Sequence, residues 1–244
     1  MKRTFVLSAA AAVAMATASA SASTVSFAHT SGLSAEASFT LLSGGSTLQI
    51  ALRNTSTGAP SGFGSADHLL SSVAFNLNGV SIVGNGSSVH IGASSESVNF
   101  NGYYGPGSNV SGEFGYGNSG TTGFENHPNF VSTSNGGSPT RFDGPNLHGP
   151  SSGSLNGPQG GLVSNDHLGS IADHAAINDE IIITLNLSGT LADLSFLSNG
   201  VRVEFGSDKM FLDGTMTSTL LVPLPGVAGM AGLGLVLVGS RRRR

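Results

Sequence analysis

Three Asp-His neighbours are the residues of this sequence whose types and spacing best suit chemistry: Asp67-His68, Asp166-His167 and Asp173-His174. Imidazole beside carboxylate can serve a divalent metal ion or a general base. Successive residues of a strand point to opposite faces, however, so the three are expected as solvated surface pairs. Asn165-Asp166, Asn178-Asp179-Glu180 and Asp208 carry the oxygen ligands that calcium takes, but their spacing matches no EF-hand loop, which favours solvated turn residues. Tyr103, Tyr104 and Tyr116 sit amid Gly and Asn, where aromatic faces and nearby hydrogen-bonding groups suit contact with sugar rings; loop packing is the plainer reading. No H-E-x-x-H motif, paired Cys, G-x-S-x-G elbow or phosphate-cradling glycine motif is present. No catalytic residue, metal ligand or cofactor is assigned.

The elements that must position these residues read as strands. Val25 and Phe27 share one face of a strand over 24–28, and Ala35, Ala37 and Phe39 share a face over 33–42. Ser43-Gly44-Gly45 supplies a turn, and Leu48, Ile50 and Leu52 line the returning strand, which predicts a β-hairpin. Further strands are expected over 69–76, 80–83, 89–91, 98–100, 110–114, 180–187 and 201–205. Residues 101–165, saturated with Gly, Asn, Ser and Pro, are expected as a long surface excursion too poor in apolar residues to build its own core. The fold class is therefore all-β, a single β-sandwich-like domain over 23–215 with a long irregular loop region.

Composition narrows the partners. All 14 acidic residues lie between Glu36 and Asp213, against four basic ones there (Arg53, Arg141, Arg202 and Lys209), a net charge of −10. Such a body repels nucleic acid and anionic lipid. Without cysteine, neither disulfides nor thiol chemistry contribute, and the core must come from ordinary packing.

Both ends carry addresses. Lys2 and Arg3, an uncharged run from Phe5 to Ala16 and small residues ending Ala20-Ser21-Ala22 make a secretory signal peptide over 1–22. Cleavage after Ala22 leaves Ser23 first; Ala18-Ser19-Ala20 offers a second site. At the other end Val222-Pro223-Leu224-Pro225 precedes an uncharged apolar stretch over 226–240 and then Arg241, Arg242, Arg243 and Arg244. About twenty apolar residues span a bilayer comfortably, so this transmembrane helix is short. Its arginines stay cytoplasmic under the positive-inside rule, which leaves the body outside.

Motif, span and arginine cluster in that order closely resemble the PEP-CTERM sorting tail of exosortase-dependent exported proteins. Val222-Pro223-Leu224-Pro225 stands where that signature usually reads Pro-Glu-Pro, with Leu224 at the glutamate position. The resemblance implies processing by signal peptidase and by an exosortase, a membrane cysteine protease that would cut near 222–226. It also implies an intermediate anchored in the inner membrane, then release to the cell surface or extracellular matrix of a biofilm. Ser34–Leu41, Leu48–Thr55, Ser72–Leu77 and Leu197–Gly206 are similar to the loose consensus of small PEP-CTERM bodies, a similarity that points to a β-sandwich and names no catalytic residue. The expected function is a structural or adhesive role at the surface. Binding to an exopolysaccharide through Tyr103 and Tyr104 is the alternative, and an extracellular hydrolase is third.

Overall fold

The computed structural model describes residues 20–57, 60–136, 141–144, 146–147, 155 and 157–222. Period-two alternation builds its first three strands, β1 (Ala20–Ala28), β2 (Ser34–Leu42) and β3 (Thr47–Asn54). Each buries one face: Val25 and Phe27, then Ala35, Ala37 and Phe39, then Leu48, Ile50 and Leu52 are almost fully enclosed. β2 and β3 form the expected hairpin, with Phe39 opposite Ile50, around a 3-10 turn at Ser43–Gly45. Gly45 adopts φ 90° there, and a Cβ would collide with the Leu191 carbonyl, so only glycine fits.

The chain continues as β4 (Leu70–Phe75), β5 (Ile82–Ile91), β6 (Ser97–Val98), β7 (Gly115–Gly117), β8 (Asn129–Ser132), β9 (Leu162–Val163), β10 (Ala176–Asn178), β11 (Glu180–Leu187), β12 (Val201–Phe205), β13 (Met210–Asp213) and β14 (Thr215–Val222). One sheet has the order β14-β1-β2-β3-β11-β5; the other runs β13-β12-β4-β9-β10-β6, with β8 also on β4 and β7 on β8. The all-β class expected from the sequence is observed as two sheets, with only short 3-10 turns as helix among the described residues. The sheets share a core: Phe39 of the first meets Phe75 of the second edge-on at 5.9 Å, and both contact Phe196. Each fully buried aromatic of this kind contributes about 1.5–3 kcal/mol relative to exposure.

Segment 101–165 corrects an expectation. Its described part is no irregular surface excursion, because β7, β8 and β9 belong to the second sheet. Phe124 and Phe130, both fully buried, pack on Ala74 with Phe142 and Phe211 and cover the outer face of β4. That cover explains why every residue of β4 is buried, serines included. Residues 110–114, expected as a strand, instead contain the 3-10 turn Ser111–Glu113, while 80–83 and 89–91 merge into β5. A buried ion pair completes the attachment: Arg141 reaches Glu204 of β12 at 2.8 Å and lies over the rings of Phe124 and Phe130.

Candidate functional site

Of the residues expected to direct sorting, those that are described fall near the ends of the β-rich unit. Ala20 and Ala22 lie in β1, and Ser23 is buried and opposite Phe39 of β2. A cut after Ala22 therefore keeps the register from Ser23 onward, whose partners continue through Ala28 opposite Ser34. Val222 is the last residue of β14, an edge strand that flanks β1 and is tied to it by Thr217 Oγ1 donating to the Thr24 carbonyl at 3.2 Å. Residues 1–19, Pro223, Leu224, Pro225, the 226–240 stretch and Arg241 to Arg244 lie outside the described residues. Among the described residues no helix is long and apolar enough to cross a membrane.

The tyrosines divide. Tyr104 is clamped to β6, its N–H donating to Ser97 Oγ and its carbonyl accepting from the Ser97 N–H, both at 2.8 Å. Its ring stands edge-on to Phe100 at 5.7 Å and lines a cleft of about 190 Å³ with Phe100, Asn109, Val110, Gly112 and Glu113. Tyr103 is 70% exposed beside it, its hydroxyl donating to Glu96 Oε2 at 3.0 Å. Sites that enclose a whole small-molecule ligand usually hold about 300–1,000 Å³, so this cleft suits a contact with one face or edge of a larger ligand. Its Glu113 carboxyl is raised above the usual carboxylate range by burial. Tyr116 stands apart: it belongs to β7, is absent from the cleft lining, and its ring presses on Gly84, where a Cβ would come 2.5 Å from Cε1. The expected set of three tyrosines is thus a pair, Tyr103 and Tyr104, plus a separate packing residue.

The Asp-His neighbours also part company, and two of the three correct the surface reading. His68 and His167 are 4% and 1% exposed, and their ring centres are 5.3 Å apart. They lie not in strands but in 3-10 turns, Ser65–His68 before β4 and Asn165–Ser170 after β9. Because Leu70 of β4 pairs with Leu162 of β9, the entrance of one strand adjoins the exit of the other, which brings together histidines 99 residues apart in the chain. Asp173 is exposed and His174 half-buried, in keeping with the expectation for that pair. The oxygen-rich residues do not converge on one point: Asn178 Nδ2 donates to Asn165 Oδ1, Asp179 is paired with Arg53 at 3.0 Å, and Asp208 lies 3.9 Å from Arg141.

No family model, no curated protein and no solved structure matches this chain. The functional reading therefore rests on its own residues and geometry.

Proposed function

We propose that this chain is an exported, exosortase-sorted protein of the cell surface or extracellular matrix, a β-sandwich with a structural or adhesive role. The observation that carries the reading is the junction at Val222, where the last strand ends on the first residue of the proline motif. Pro223 and Pro225 lack the N–H that a strand donates, so the motif's sequence cannot supply a full strand ladder beyond Val222. On this reading signal peptidase removes 1–22, the inner membrane holds 226–240 with Arg241 to Arg244 on the cytoplasmic side, and exosortase cuts near 222–226. The net charge of −10 over the acidic body suits a soluble surface component and disfavours nucleic acid.

The test is fractionation of the native host expressing the full chain with Val222 to Pro225 replaced by alanine. Accumulation of the variant in the inner membrane, with the parent chain in the extracellular fraction, supports the proposal; identical distributions refute it. A strain lacking the chain should lose surface cohesion, and normal aggregation there would refute the structural role.

A second reading, binding to an exopolysaccharide, is favoured by the cleft that Tyr104 lines beside Tyr103. Tyr104 lines the cleft with Asn109 and Glu113 and the exposed Tyr103 is its chain neighbour, so aromatic faces and hydrogen-bonding groups stand together. No observation favours the hydrolase reading.

A further inference from the structure

Buried polar groups normally find partners, and each one left without costs about 1–3 kcal/mol. Three such atoms cluster in one place here: His68 Nε2, His167 Nδ1 and His167 Nε2 have no hydrogen-bond partner among the described residues. We propose that His68 and His167 form a buried binding site for a zinc-class transition metal ion, bound through one ring nitrogen of each.

The tautomer of His68 can be read from its surroundings. Ser170 Oγ donates its single hydrogen to the His167 carbonyl at 2.8 Å. The same oxygen lies 2.7 Å from His68 Nδ1, so Nδ1 carries the proton and donates to it. On this tautomer His68 Nε2 is an acceptor, buried and with no donor among the described residues. A histidine whose other nitrogen is fixed by a hydrogen bond is the usual arrangement of a metal ligand, and here Ser170 is the positioning residue.

The spacing agrees. With metal–nitrogen bonds of about 2.0–2.1 Å and a tetrahedral angle, two imidazoles place their ring centres about 5 Å apart; the observed separation is 5.3 Å, with the rings inclined at 41°. Imidazole nitrogen selects late first-row ions over calcium or magnesium. Two protein ligands leave further coordination positions for water or an exogenous group, and Ser164 Oγ, at the start of the same turn, is a further buried atom without a partner among the described residues. The ion would join the turn ahead of β4 to the turn behind β9.

The experiment uses the untagged full chain in detergent, stripped with a chelator, then titrated with zinc chloride by calorimetry and with cobalt(II) by absorption. One ion per chain, a visible d–d band typical of tetrahedral cobalt and a melting temperature that rises with zinc concentration are expected. His68→Gln and His167→Gln should weaken zinc at least about tenfold, Ser170→Ala by a similar factor through loss of positioning, and His174→Gln should change nothing. Should a histidine variant fail to fold, the parent chain still decides: zinc should shift the ring nitrogen resonances of His68 and His167. The absence of saturable zinc binding, unshifted rings, or undiminished binding by folded His68→Gln and His167→Gln chains would overturn the site.

Discussion

Arg141 Nη2 and Glu204 Oε2 meet at 2.8 Å with side chains 1% and 0% exposed, which places a complete ion pair inside a protein whose body is otherwise sparsely charged. Ser72 Oγ and the Asp208 N–H also donate to the Glu204 carboxylate, and Arg141 Nη1 donates to the Ser134 carbonyl at 3.0 Å. The pair joins β12 to the segment that covers the outer face of β4. Removing one partner strands the other without solvent, so Glu204→Gln or Arg141→Met is expected to destabilise the fold by about 3–5 kcal/mol. The double change Arg141→Met with Glu204→Leu should cost less than either alone. Urea denaturation of the four proteins measures this; a loss under 1 kcal/mol for both single variants would mean that the covering segment is not anchored there.

The β2–β3 turn separates two glycines by their surroundings. Gly45, at φ 90° beneath the Leu191 carbonyl, has no room for a methyl group, whereas Gly44, at φ 64°, has nothing near it. Gly45→Ala should cost about 1–3 kcal/mol and Gly44→Ala about 1 kcal/mol or less. Equal losses in a thermal melt would remove steric closeness as the reason.

Burial holds the His127 imidazole below its usual value near 6.5; the Arg202 guanidinium pushes the same way, while Asp213 and Glu125 oppose. The unfolded chain then binds a proton more readily than the folded one. The contribution of this group to stability is full above pH 6.5 and is lost as the pH falls from there through the lower folded value. His127→Gln should make the decline in urea midpoint between neutral and mildly acidic pH shallower, and an unchanged slope would show that this ring does not carry it.

On the sugar-binding reading, Tyr103→Ala with Tyr104→Ala should weaken saturable binding to matrix polysaccharide roughly tenfold or more, with a stability loss of about 0.5–1.5 kcal/mol from the Tyr104–Phe100 edge contact. Tyr116→Phe should leave it unchanged, because that ring packs on Gly84 away from the cleft. Binding by the double variant equal to that of the parent chain would discard this reading.

The strands that bury one face were legible in the sequence, because period-two alternation follows directly from half burial. β11 runs over 180–187 and β12 over 201–205 as read, and the hairpin around Ser43–Gly45 falls where the glycines put it. β4 falls within the strand expected over 69–76, but its cover on both faces, which keeps its serines inside, was not legible. Phe124, Phe130 and Phe142 are too widely spaced for any period to reveal, yet they converge once β8 pairs with β4. The His68–His167 contact was hidden for the same kind of reason: it depends on a pairing between Leu70 and Leu162, and no local rule encodes a meeting of two turns so far apart in the chain.

The central claim, export with removal of both terminal segments, is tested most directly by the intact mass of the protein recovered from its native host and from the same host without its exosortase. The expected masses are a chain beginning at Ser23 and ending near Pro225 in the first, and one that retains Arg241 to Arg244 in the second. A mass that includes the four arginines in both would contradict it and make this a protein permanently tethered by its C-terminal stretch.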